Sequence, residues 1–187
     1  MSRPRILWQP DPAVVARSRM AAFREWLAAT HEVQPADYDA LWRWSVTDLE
    51  GFWGAFAQFA GVRFHAQPQR VLADTAMPTD PAASPWFPGA TLNYAEQALL
   101  PGAGPEAGKD AGDLAVIYRR EDGFREQLSY GQLRHKVGAA RSALAALGVG
   151  RGDRVAALAP NSPETLVAFL ATGSLGAIWS SCSPEFG

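Results

Sequence analysis

Apolar residues recur along this chain first at helical spacing and then, from about residue 113, in short runs bounded by turn residues. Arg3 to Pro10 reads as an extended arm carrying Trp8. Asp11 followed by Pro12 is a helix start, an acidic cap before a residue with no N–H to leave orphaned. Ala16, Met20, Phe23 and Leu27 then form one stripe, with Trp26 beside it. After a break at Thr30 to Gln34, Pro35 opens a second helix with Tyr38, Leu41 and Trp42 on a face. Thr47 and Glu50 stand at capping-box spacing and predict the start of a third. Leu49, Phe52, Trp53, Phe56 and Ala60 follow at i, i+3, i+4, i+7 and i+11, which places Trp53 and Phe56 in a core. Gly61 ends that helix.

Arg63 to Pro88 has little periodicity and holds Pro68, Pro78, Pro81, Pro85 and Pro88; Trp86 and Phe87 are expected to anchor it. A short helix is predicted in Thr91 to Leu100, and the Gly/Ala/Pro-rich 101–112 reads as a linker. Beyond it, Leu114 to Tyr118 and Phe124 to Leu128 pair as a hairpin across Glu121, Asp122 and Gly123. Ser129, with Gln132 at capping-box spacing, starts a helix whose buried face is Leu133, Val137, Ala140, Leu144 and Leu147; Gly148 stops it.

Val155 to Ala159 and Ala177 to Ser181 read as two buried strands. Ser162, Pro163 and Glu164 begin the helix between them, which presents Leu166, Phe169, Leu170 and Gly173 on one face. Two strands joined by one helix run parallel, with a right-handed crossover. In open α/β sheets ligands sit beyond the carboxyl ends of the strands, and here the second strand runs into Ser183 to Gly187.

Composition narrows the function classes. The 187 residues are 48% hydrophobic and 19% charged, the balance of a folded protein, and the net charge of -2 draws neither nucleic acid nor anionic lipid. No stretch has the length of a membrane span or the core of a signal peptide, so a cytoplasmic protein is expected. The one cysteine, Cys182, rules out an internal disulfide and reads as a small buried residue at a strand end. His31, His65 and His135 lack metal-ligand spacing. GVGRG at 148–152 imitates a dinucleotide fingerprint, but it follows a helix and precedes a strand, the reverse of the required context. GAGPEAGKD imitates a phosphate loop with the wrong spacing and no strand before it. The tryptophans at 26, 42, 44 and 53 read as packing, and Arg119, Arg120 and Arg125 as a solvated hairpin edge.

Four stretches, 48–64, 87–99, 128–177 and 178–187, together resemble the amino-terminal part of the adenylate-forming acyl-CoA synthetases. The last of them, IWSSCSPEFG, resembles the branch that activates acetoacetate; acetyl- and propionyl-CoA synthetases are similar up to Ala177. The resemblance implies an α/β fold in which a helical lead-in is followed by the incomplete first part of the large-domain sheet. It divides the chain into a helical region at 1–100 with a long irregular loop, a linker at 101–112 and a truncated AMP-binding-type domain at 113–187. It implies a ligase that uses ATP, CoA and Mg²⁺ with acetoacetate as acid. The family's phosphate loop and catalytic lysine have no counterpart among these residues, so the chain is expected to be a piece of a larger enzyme, inactive alone and prone to self-association through its unfinished sheet. No catalytic residue carries over. The stretch near the nucleotide of CoA in related enzymes maps to Ser183, Pro184, Glu185 and Phe186. The rivals are the same region of an acetyl-, propionyl- or other short-chain acyl-CoA synthetase, and a stand-alone binding or assembly module without ligase chemistry.

Overall fold

A computed structural model describes residues 7–73, 86–100 and 110–186. Part of the predicted arm, Pro78, Pro81 and Pro85, residues 101–109 of the predicted linker and Gly187 lie outside them. By packing, the chain divides into Met1–Ala60 with Gln69–Pro88, and Gly61–Pro68 with Gly89–Gly187.

The first unit is built from four helices, α1 (Pro12–Ala16), α2 (Arg19–Thr30), α3 (Tyr38–Thr47) and α4 (Leu49–Phe59). Asp11 caps α1 as its spacing predicts, its Oδ1 accepting the N–H of Ala13 at 2.7 Å. The single stripe expected from Ala16 to Leu27 is split, because Ser18 caps a new helix through the N–H of Ala21 at 3.1 Å. A serine offers the backbone an alternative to continuing the helix. Phe23 and Leu27 are buried, whereas Met20 is left exposed. The third predicted start also moves by one residue. Thr47 is the last residue of α3 and its hydroxyl donates to the Arg43 carbonyl at 2.9 Å. Asp48 both closes α3 and caps α4, accepting the Gly51 N–H at 3.0 Å. A short carboxylate at the positive end of a helix is a better cap than a threonine.

The apolar surface of α4 offers two overlapping stripes, 49-52-53-56-60 and 52-55-56-59. Docking on α2 buries the 52-55-59 part of the second and leaves Phe56 at its margin. Ala55 and Phe59 are buried with Phe23, Leu27 and Leu41, and Phe52, Trp26 and Trp44 pack partly against them. The Phe23 ring lies 5.0 Å from Phe59 and 5.7 Å from Phe56, centroid to centroid. The expectation that Trp53 and Phe56 are core residues is therefore corrected: each is 39% exposed. Trp53 instead meets the edge of Trp86 at 5.8 Å. Trp86 does anchor its stretch, pairing with Leu72 in a β-bridge while the Phe87 N–H donates to the Val71 carbonyl at 2.7 Å.

The second unit begins with the return stretch Gly61–Pro68, which bridges Ala66 to Thr91, and helix α5 (Tyr94–Leu99). The predicted hairpin forms: β1 (Leu114–Arg119) pairs antiparallel with β2 (Arg125–Ser129). Gly123 supplies the left-handed turn residue at φ +87°. Helix α6 (Tyr130–Ala146) starts with the predicted capping box, Ser129 N–H to Gln132 Oε1 at 2.8 Å and Gln132 N–H to Ser129 Oγ at 3.2 Å. Leu133 and Val137 are buried with Ala95, Leu99, Leu170 and Ala171, and Ala140 and Leu144 pack against that core. Leu147 does not join them. It is 81% exposed, because α6 stops at Ala146 and the chain turns away at Gly148.

The chain then forms β3 (Arg154–Leu158), α7 (Pro163–Ser174) and β4 (Ile178–Cys182). The strands run parallel, from Arg154 opposite Ile178 to Leu158 opposite Cys182. Val155, Ala157 and Trp179 are half-buried on one face, and Trp179 meets Phe169 of α7 at 6.1 Å. The expectation of fully buried strands is corrected, since Leu158 and Ile178 on the other face are each more than half exposed. Cys182 shares that face and is exposed rather than buried. Among the described residues α7 packs on β4, and none buries the face that carries Leu158, Ile178 and Cys182.

Candidate functional site

The carboxyl ends of β3 and β4 finish together, aligned by the Ala159 N–H donating to the Cys182 carbonyl at 3.1 Å. The helix between them starts at the same edge. Ser162 caps α7, and the Thr165 hydroxyl donates to the Pro160 carbonyl at 2.7 Å, which fastens the turn leaving β3 to the first turn of the helix. This is the edge at which a parallel sheet presents its ligand crevice.

The positive end of α7 has an anion of its own. The Glu164 carboxyl is held below its ordinary range by its own backbone N–H, then by the Ser162 hydroxyl and the charge of Lys136. The predicted loop lies beyond β4. Ser183 leaves the strand and Pro184–Phe186 form a single 3-10 turn, closed by the Phe186 N–H donating to the Ser183 carbonyl at 3.1 Å. The Ser183 hydroxyl donates to Glu185 Oε2 at 2.8 Å, so one local bond orients both polar side chains. The Phe186 ring is 82% exposed. The loop thus brings together a hydroxyl, a carboxylate already engaged by it, a proline and an open aromatic face. It has no cation between 183 and 186. Such a set suits the face or edge of a flat heteroaromatic group, not a phosphate.

Other polar residues are drawn together elsewhere. His65 pairs with Glu96 across a contact that joins the return stretch to α5. Together with Thr91, Asn93, Arg151 and Ser174 it lines a cavity of about 510 Å³ at the far end of α7. His31 lies against the Trp26 ring at 4.8 Å, and His135 lines a groove between α6 and α7. Arg120 pairs with Asp122 and sits over the Phe124 ring at 5.4 Å. The 148–153 turn is held by the Gly150 N–H on Asp153 Oδ2 at 2.8 Å, the behaviour of a helix stop. No group of three or more His, Cys, Asp and Glu able to hold a metal ion occurs among the described residues.

Reading the sequence missed Asn93. Its position before a helical run signals a cap, but its second partner is 80 positions away and left no local trace.

Residues 106–187 match the model for AMP-binding enzyme, and residues 38–98 the model for the acetyl-coenzyme A synthetase N-terminus. Each model covers less than half of the chain, and both are models of the acyl-CoA synthetase family of AMP-binding enzymes. The chain is 43% identical to an acetoacetyl-coenzyme A synthetase of Rhizobium meliloti (strain 1021), over 100% of this chain and 27% of that one. It is 37% identical to the malonamoyl-CoA synthetase vrtB of Penicillium aethiopicum, over 97% of this chain and 24% of that one. The solved structure of the acetoacetyl-CoA synthetase from Streptomyces lividans matches with a TM-score of 0.84 at 42% identity, over 98% of this chain and 27% of that one. The chain therefore spans about a quarter of the length of the synthetases it matches. The helical lead-in followed by a partial sheet, expected from the sequence, is the architecture of the corresponding part of a synthetase.

Proposed function

We propose that this chain is the amino-terminal part of an ATP-dependent acetoacetate–CoA ligase of the cytoplasm. What carries the reading is the 43% identity to an acetoacetyl-coenzyme A synthetase along the whole chain, its last stretch included. The acid and ATP give an acyl-adenylate and pyrophosphate. The thiol of CoA then displaces AMP to give the thioester. A carboxylate is a poor electrophile, and adenylation gives it a good leaving group; Mg²⁺, when bound, neutralises phosphate charge as that group forms. None of these steps is assigned to a residue of this chain.

The loop Ser183, Pro184, Glu185 and Phe186 is proposed to lie near the adenine nucleotide of CoA. Phe186 and Pro184 offer the base an apolar surface, and Ser183 offers a hydroxyl at its edge. The coenzyme's phosphates need cations from outside this loop, because Glu185 repels them. Acetoacetate and malonamate both carry a carbonyl β to the carboxylate, and both are named in relatives of this chain. The proposed acid is of that class. A second reading, acetate or propionate, is favoured by the match of 38–98 to a model named for acetyl-coenzyme A synthetase. The division into a helical region at 1–100, a linker at 101–112 and an AMP-binding-type domain from 113 remains part of the proposal as a division of the sequence, with α5 packing on the later part.

The test is pyrophosphate release with ATP, Mg²⁺ and CoA, comparing acetoacetate, malonamate, acetate and propionate. A protein that contains these 187 residues within a synthetase of the usual length should prefer the β-carbonyl acids. Preference for acetate or propionate would overturn the acid class. The isolated 187-residue chain should show no turnover, and turnover above background would overturn its proposed role as one part of the ligase.

A further inference from the structure

Asn93 touches two helix ends at once. Its Oδ1 accepts the Glu96 N–H at 3.1 Å and caps α5, while its Nδ2 donates to the Gly173 carbonyl in the last turn of α7 at 2.9 Å. This is the one orientation of the amide that satisfies both neighbours. The same Gly173 carbonyl also accepts the N–H of Gly176, whose φ of +71° turns the chain toward β4. Apolar contacts surround the link. Ala95 and Leu99 of α5 are buried with Leu133, Val137, Leu170 and Ala171 of α6 and α7. The Tyr94 ring lies 5.5 Å from Phe169, and the Arg134 guanidinium donates to the Leu99 carbonyl at 2.8 Å. Gly173 lies against Ala95, where an added Cβ would stand 4.0 Å from that of Ala95, an ordinary contact distance. The two sides of this contact fall in the separate family-model regions 38–98 and 106–187.

We propose that α5 is a folding clasp of the α/β unit, so that α5, α6 and α7 open and close as one cooperative element. Asn93 is the positioning residue that couples the end of α7, and with it the start of β4, to α5. The match boundary near residue 100 is then not a folding boundary. Without α5, Leu133, Val137 and Leu170 lose Ala95 and Leu99, two of the residues they are buried with. This inference rests on packing alone and stands whatever acid the ligase takes.

Native-state amide exchange on the intact chain tests it with Asn93→Ser. Serine keeps a capping oxygen for α5 but cannot reach Gly173. Protection in α5 and in Leu170–Ser174 should fall together by about five-fold, the net worth of one hydrogen bond. Leu99→Ala, at the other end of α5, should lower protection across α6 and α7 as well. Loss confined to residues 94–100 in either variant, or no loss in either, would overturn the clasp.

Discussion

Leu133 and Leu147 lie on the same predicted stripe of α6, and the structure gives them opposite surroundings. Leu133 is 4% exposed and Leu147 is 81% exposed. Leu133 packs in a core with Val137, Leu99 and Leu170, on a helix held at its start by a capping box. Removing its branched end forfeits the transfer energy of three carbons and leaves a cavity that the helices close only in part. The cost should be about 3 kcal/mol, within the roughly 2–5 kcal/mol of buried Leu→Ala changes. That is more than a hundred-fold in the folding equilibrium, since about 1.4 kcal/mol is tenfold. Leu147→Ala touches little that is buried and should fall within about 0.5 kcal/mol of the parent. Urea unfolding followed by far-UV circular dichroism, with amide exchange on α6 to localise the loss, measures both. Equal costs for the two variants would refute the assignment of the α6 face. So would a Leu133→Ala cost below about 1 kcal/mol, because it would mean α5 and α7 do not close over Leu133 in solution.

The Glu50 carboxyl is held below its ordinary 4.5 by the hydrogen bond from Arg70, then by the Leu72 N–H. A depressed carboxyl stabilises the fold above its ordinary value and loses that contribution as pH falls through the folded value. Glu50→Gln should thus lower the Tm at pH 7, with the gap to the parent closing between pH 4.5 and lower pH; a gap that stays constant from pH 7 down to about 3 would contradict the pairing. The open face of β3 and β4 and the free edges of a two-stranded sheet should make the isolated chain associate with concentration. Light scattering across a concentration series reads this directly, and a strict monomer with protected amides at 178–182 would show the sheet stable without a cover.

Features whose partners lie within a turn of helix or a two-strand loop were legible in the residues. Asp11 before Pro12, the Ser129–Gln132 box, Ser162 before Pro163 and the Gly123 hairpin are all stated locally, because a cap or tight turn is satisfied by groups two to four positions away. The strand–helix–strand order at the end of the chain was legible for the same reason, and the stretches 48–64, 87–99, 128–177 and 178–187 together carried the likeness to the family. Choices between local options needed the folded chain. Thr47 and Asp48 were both able to cap α4, and two stripes on α4 were both able to face a core. Phe23, docking from another helix, decided which stripe was buried. Asn93 on Gly173 and Glu50 on Arg70 join positions 80 and 20 apart, and no periodicity encodes a partner at that distance. Cys182 has the sequence context of a buried strand end, yet burial depends on what stands across the sheet, and none of the described residues buries that face.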